Sequence, residues 1–176
     1  MIEIRPLDPG DLDALQAFFR RVPDGDRTFF KEDVLDPHVV AEWPAASTAQ
    51  RILALDDGAV CGSISIVRGT AWSSHVGELR LVVDPAYRGR GIGTQLARAG
   101  MLAGVEMGLK KLVVEASAGQ ESTIALFNRL GFEGEALLRD HVCTQDGEKS
   151  DLIMLAHFVE GVWSELEVVG LADELG

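Results

Sequence analysis

The chain has 176 residues, 47% apolar and 25% charged, which fits one soluble globular domain and excludes a disordered or low-complexity polypeptide. Its formal charge of −12 opposes non-specific nucleic-acid binding, which needs positive charge facing the phosphates, and at long range favours a cationic partner. No apolar run reaches membrane-spanning length, and Glu3, Arg5 and Asp8 break any secretion-signal pattern near the start, so a cytoplasmic protein without membrane contact is expected.

Ile2-Glu3-Ile4-Arg5 alternates and reads as an edge or partly exposed strand. Asp8-Pro9-Gly10-Asp11 is a turn, with Asp11 a candidate N-cap for a helix striped by Leu12, Leu15, Phe18 and Phe19. Val22-Pro23-Asp24-Gly25-Asp26 closes that helix. One or two short helices follow between Arg27 and Trp43, around Phe29, Phe30, Val34 and Leu35. These aromatics either pack in the core or line a cleft. After the loop Pro44 to Thr48, Arg51–Leu55 and Val60–Val67 form two strands joined by Asp56-Asp57-Gly58, a hairpin signal.

The stretch from Glu78 to Gly93 organises the rest. Leu79 to Val83 reads as a largely buried strand, and Pro85 ends it because proline supplies no ladder N–H. Gly89, Gly91 and Gly93 then let backbone approach another group closely. A helix from Ile92 to about Met107 carries Ile92, Leu96, Gly100 and Ala103 on one stripe. Its unpaired first amides would point into the turn and suit an anion, a phosphate or pyrophosphate. The spacing is not that of the dinucleotide fingerprint, and no Gly-Lys-Ser/Thr follows to make a P-loop. The remaining alternative is that the glycines merely permit a tight turn into the helix.

A short strand, Leu112 to Ala116, comes next and can flank the helix in a parallel crossover with Leu79–Val83. A helix from about Glu121 to Leu130 follows, stopped by Gly131 at a left-handed position. Two more strands, Glu133 to Cys143 and Ser150 to Phe158, surround the turn Thr144 to Glu148. The tail 159–176 reads as an amphipathic helix through Val162, Trp163, Leu166 and Val169, weakened by Gly161 and Gly170. It would pack on the domain 1–158 or on the partner in a homodimer. Cys61 and Cys143 lack ligand spacing and read as reduced thiols. His38, His75, His141 and His157 show no metal-ligand pattern, so no metal is expected.

Arg88-Gly89-Arg90-Gly91-Ile92-Gly93, preceded by Val82-Val83-Asp84-Pro85-Ala86-Tyr87, resembles the Arg/Gln-x-x-Gly-x-Gly/Ala signature of the GNAT superfamily of N-acetyltransferases. Ser122-Thr123-Ile124-Ala125-Leu126-Phe127-Asn128-Arg129-Leu130-Gly131-Phe132 resembles a second segment of the same superfamily, Ala-x-x-Leu-Tyr/Phe-x-x-x-Gly-Phe. The resemblance covers about Ile2 to Phe158. It implies an α/β fold with a mixed, twisted sheet of about seven strands and helices on both faces. The two central parallel strands would splay apart to admit acetyl-CoA. It also implies that backbone groups of Leu81, Val82 and Val83 hold the pantetheine arm, with the Val83 amide a candidate to polarise the thioester. Arg88, Gly89, Arg90, Gly91, Ile92 and Gly93 would hold the pyrophosphate. Ser122 and Phe127 are further cofactor contacts.

The transfer needs a deprotonated amine, and Glu78 is the candidate base. It stands ten positions before Arg88, the spacing of the catalytic glutamate in the bacterial protein-lysine branch that the chain resembles. A carboxylate at the mouth of a buried cleft is expected to have a raised pKa. The bland alternative is a solvated strand end or a pair with Arg80, and Glu115 is the second candidate base. Many relatives carry a tyrosine acid where this chain has Phe127, so protonation of the thiolate falls to water, another side chain or the amine's own proton. Tyr87, the only tyrosine, suits packing better than acid catalysis. His141 is a candidate substrate contact, and His75 an exposed neighbour of Glu78. The acceptor amine is left open among a protein lysine or N-terminal amine, a polyamine and a small amino compound. A non-catalytic acyl-CoA-binding sensor is the alternative reading.

Overall fold

The computed structural model describes residues 1–144 and 146–159, and these build seven strands and five α-helices. The chain opens with β1 (Ile2–Pro6), which forms a sheet edge as expected. A single 3-10 turn at Pro9–Asp11 then leads into α1 (Leu12–Arg21). Asp11 stands at the N-cap position of α1 as expected, but its side chain makes no cap hydrogen bond to that helix, and the capped element is the 3-10 turn before it. Asp8 makes the cap, accepting from Gly10 N at 2.9 Å, while the Asp11 carboxylate is taken by Arg5 at 2.6 and 2.8 Å and by Asp8 N. A side chain already bound in an ion pair is not free to cap the helix that follows it.

Two short helices, α2 (Asp24–Arg27) and α3 (Pro37–Ala41), fill the region before β2 (Ala49–Asp56) and β3 (Ala59–Arg68). Asp57 and Gly58 both have positive φ, 48° and 83°, the twist a tight hairpin needs. Next come β4 (Val76–Val83), α4 (Ile92–Glu106), β5 (Lys111–Ser117), α5 (Glu121–Arg129), β6 (Glu133–Cys143) and β7 (Lys149–Phe158). The β4 strand starts three residues earlier than its apolar run, because Val76, Gly77 and Glu78 pair through backbone groups on both sides. Gly131 stops α5 with φ 85°, the left-handed position its sequence context requires.

The sheet order is β1-β2-β3-β4-β5-β7-β6, and only β4 and β5 run parallel. Each face carries its own core. On one, α4 lays Ile92, Leu96 and Ala103 over Ile64, Ile66 and Leu79, joined by Phe127 and Phe132. Gly100 completes that stripe, and a Cβ there would stand 2.6 Å from Ile64 Cδ1, so the helix axis rides close to β3. On the other face Leu15, Phe18 and Phe19 of α1 pack with Phe30 and Trp43 against Leu53, Leu55 and Val82. Burying each such large side chain contributes about 1.5–3 kcal/mol, so the two cores fix the sheet between two helical layers. The expected tail helix, and the dimer contact assigned to it, lie outside the described residues.

Candidate active site

The site starts with a short parallel pairing. Val76, Gly77 and Glu78 pair with Lys111, Leu112 and Val113, and there the contact between β4 and β5 ends. From Leu79 to Val83, β4 pairs with β3, and from Val114 to Ser117, β5 pairs with β7. The facing edges of the two strands therefore diverge beyond Glu78. Backbone groups along such an edge need partners, and an extended ligand can supply them as an added strand would.

The opening forms a cleft of about 620 Å³, with Leu81, Val82 and Val83 on one wall and Val114 and Glu115 on the other. At its far end Gly91, with φ 79°, turns the chain into α4. The amides of Ile92, Gly93 and Thr94 precede the first helical bond, from Gln95 N to Gly91 O at 3.1 Å. A Cβ added at Gly89 or Gly91 would meet nothing within 4 Å, so the cradle is open to a ligand. Free amides, the positive end of a 15-residue helix and open space on the cleft side fit a pyrophosphate.

The two arginines of the loop are engaged by the protein itself. Arg88 donates from Nη2 to Asp26 Oδ2 at 2.6 Å and from Nε to Val83 O at 3.1 Å, tying α2 to the end of β4. Arg90 is exposed, lies 5.0 Å from the centre of the Tyr87 ring and does not border the cleft. Ser122 borders it from α5. Phe127 also borders the cleft, buried from solvent, with its ring edge-on to Phe132 at 5.1 Å.

At the mouth, Glu78 is gripped from two sides. Arg80 donates from Nε to Oε1 at 2.9 Å and from Nη2 to Oε2 at 3.2 Å, and Lys31 Nζ reaches Oε2 at 3.2 Å. Burial pushes the Glu78 carboxyl up, but the Arg80 hydrogen bonds and charge, aided by Lys31, outweigh it and hold the group below the ordinary carboxylate range. The expected raised pKa is thus corrected, because desolvation is only one of the forces on this group. Lys31 Nζ also lies 2.7 Å from Glu115 Oε2, so one lysine joins both candidate bases across the parted strands. His141 is exposed on β6 and His75 is exposed just before β4.

Lys31 and Arg80, the two cations bound to Glu78, are the hardest of these contacts to read from sequence. Glu78 and Arg80 share a strand face at period two, which signals a pair without fixing its strength. Lys31 is 47 residues from Glu78, and nothing local to it marks the contact.

A mixed sheet parted between its parallel strands, with a glycine-cradled helix start in the opening, defines an α/β protein shaped to hold an elongated anionic ligand. Residues 14–132 match the model of the acetyltransferase (GNAT) family, and the chain belongs to that family. It is 31% identical over 99 residues to N-alpha-acetyltransferase 30 of Schizosaccharomyces pombe, an alignment covering 54% of this chain and 62% of that protein. The chain spans less than two thirds of the length of the curated relatives it matches. Among solved structures it superposes on ribosomal-protein-alanine N-acetyltransferase from Brucella melitensis with a TM-score of 0.76 and 25% identity, covering 89% of this chain and 99% of that one. It also superposes on a phosphinothricin acetyltransferase from Sinorhizobium meliloti, solved in complex with acetyl-CoA, with a TM-score of 0.74 and 18% identity over 89% of this chain and 88% of that one. That last likeness is one of fold.

Proposed function

We propose that this chain is an acetyl-CoA-dependent N-acetyltransferase that passes the acetyl group to a primary amine by direct attack in a ternary complex. The observation that carries the reading is the parting of β4 from β5 at Glu78, with the start of α4 at the other end of the same cleft. Bound acetyl-CoA supplies an activated thioester. The open edge of Leu81, Val82 and Val83 holds its extended arm, and the Val83 amide is the candidate donor to the thioester oxygen. The amides from Gly89 to Thr94 hold its pyrophosphate. Glu78, ionised at neutral pH, accepts a proton from the amine directly or through water. Phe127 offers no hydroxyl, so water or the amine's own proton neutralises the thiolate.

The relatives' names put peptide N-terminal amines first among the acceptors to try. Carboxylates at the cleft mouth suit any acceptor that arrives as an ammonium ion. We also propose a cytoplasmic homodimer in which the apolar side chains of the tail, Val162, Trp163, Leu166 and Val169, cover the partner or the chain's own sheet. Sedimentation of a chain ending at Val159 against the full chain tests the dimer, and an unchanged mass rules out a tail contact.

The activity is tested by release of free coenzyme A thiol from acetyl-CoA in the presence of peptides with free N-termini, lysine peptides, polyamines, amino acids and aminoglycosides. Turnover with at least one class is expected. Tight acetyl-CoA binding with no turnover across the panel would replace this reading by the non-catalytic sensor, which the missing hydroxyl at Phe127 favours.

A further inference from the structure

A primary amine of the chain itself bridges two carboxylates that border the cleft. Lys31 Nζ stands 2.7 Å from Glu115 Oε2 and 3.2 Å from Glu78 Oε2, where β4 and β5 separate. Both carboxylates are largely shielded, with side chains 17% and 18% exposed, while the lysine side chain is 46% exposed and can move. An acceptor amine arriving at this mouth as an ammonium ion would meet the same two carboxylates.

The backbone commits Lys31 to that place. Its φ of 58° lies in the left-handed region, which a residue with a Cβ adopts at a cost and glycine adopts freely. The turn is anchored by Phe30, which is buried, packs edge-on to Phe19 at 5.2 Å and has its carbonyl bonded by Arg80 Nη1. Val34 is buried on the other side of the turn. A lysine stands where glycine would be easier, and the anchored turn holds it against the two cleft carboxylates.

We propose that Lys31 is a self-acetylation site of this protein, an inference that rests on the acetyl-CoA reading above. Lys31 loses one proton from its ammonium to Glu78 or Glu115, and from there to solvent. The free Nζ pair attacks the thioester carbonyl carbon of acetyl-CoA. A C–N bond forms as the C–S bond breaks, and the coenzyme A thiolate leaves and takes up the second ammonium proton. The products are Nε-acetyl-Lys31 and the free thiol. The neutral amide no longer bridges the two glutamates, so the modification also removes the internal cation that competes with an acceptor for them.

The chain contains four lysines, and the other three serve as internal controls. Lys110 and Lys149 are exposed, and Lys111 pairs with Glu135 at 2.6 Å, away from the cleft carboxylates. The full-length protein is incubated with acetyl-CoA alone, and acetyl occupancy at each lysine is followed by peptide mass spectrometry, beside calorimetric titration of acetyl-CoA. Lys31 should be modified about 10²-fold faster than Lys110 or Lys149, the gain that a positioned base supplies. Its rate constant should not change with protein concentration, as for an intramolecular step. Lys31→Arg should bind acetyl-CoA and lose the mark, and Gly91→Asp should lose both. Equal rates at Lys31 and the exposed lysines, or a rate that rises with protein concentration, overturns the proposal. Acetyl-CoA binding with no mark at Lys31 overturns it and leaves the N-acetyltransferase reading standing. No acetyl-CoA binding by the unaltered protein removes both.

Discussion

Arg80 grips Glu78 through two hydrogen bonds, Nε to Oε1 at 2.9 Å and Nη2 to Oε2 at 3.2 Å, so both carboxylate oxygens are engaged by one guanidinium. That grip decides the charge on the candidate base. Burial alone would favour the neutral acid, and the pair reverses the outcome. Arg80→Gln keeps a donor near the Phe30 carbonyl but removes the charge. The Glu78 pKa should then rise, because burial remains while its main counterweight is gone. In a pH–rate profile the acidic limb assigned to Glu78 should move to higher pH. A limb that stays in place would show that another group controls it.

The same linkage affects stability. Glu78 has a depressed pKa in the fold, so the stability it contributes is present above its ordinary value, 4.5, and is lost as pH falls through the lowered value. Glu78→Gln should therefore flatten the acid side of the stability curve. Urea denaturation of both proteins across the acid range reads this directly, and parallel curves would contradict it.

Gly91 and Gly93 give separable tests of the anion cradle. A Cβ at Gly91 meets nothing within 4 Å, whereas one at Gly93 stands 3.2 Å from Leu126 Cδ1 and 3.8 Å from Val83 Cγ2. Gly91→Asp should thus weaken acetyl-CoA binding by placing negative charge at the helix start, with only the left-handed backbone cost of about 1–2 kcal/mol to the fold. Gly93→Asp should weaken binding and also disturb the contact between α4, α5 and β4. Calorimetric titration with thermal melts of both variants distinguishes these effects. Unchanged affinity in folded Gly91→Asp would remove the loop from the ligand site.

Phe127→Tyr probes the missing acid. Phe127 is buried from solvent and packs edge-on to Phe132, although it also borders the cleft, so a hydroxyl added to its ring enters a tightly packed stretch of the cleft wall. An unpartnered buried hydroxyl costs about 1–3 kcal/mol. The variant should melt at lower temperature and gain no kcat. A clear rate increase would mean that the ring tip reaches the leaving sulfur.

Much of this arrangement was legible because its causes are local. Asp57-Gly58 fixes the β2–β3 hairpin, and the stripe through Ile92, Leu96, Gly100 and Ala103 gives α4 its buried face. Gly131 marks the end of α5 for the same local reason. The site was less legible where contacts are distant or side-chain directions decide. Arg88 and Arg90 belong to one motif, yet the first turns toward Asp26 and the second lies over Tyr87. Burial of Glu78 follows from its place at the strand opening, but the sign of its pKa shift depends on Arg80 and on Lys31, which comes from another loop. Asp11 takes the N-cap position of α1 as its sequence suggests, yet its carboxylate does not cap, since Arg5 across the turn holds it.

The mechanism turns on what happens when Glu78 is made neutral. An ammonium cannot attack a thioester, so turnover requires an amine that has lost a proton, and Glu78 in its ionised form can accept it. Glu78→Gln removes that capacity while leaving a side chain of similar size between Arg80 and Lys31. With the best acceptor from the panel, kcat at neutral pH should fall on the order of 10²-fold, and acetyl-CoA affinity should change little. The deficit should narrow as pH rises toward the acceptor's own pKa, because solution then supplies the free amine. Glu115→Gln separates the two carboxylates. If Glu115 only shares Lys31 with Glu78, its loss should alter acceptor KM more than kcat. If Glu115 is the base, the two phenotypes exchange. Wild-type rate and profile in Glu78→Gln, with a large kcat loss in Glu115→Gln, would transfer the assignment across the cleft, from β4 to β5.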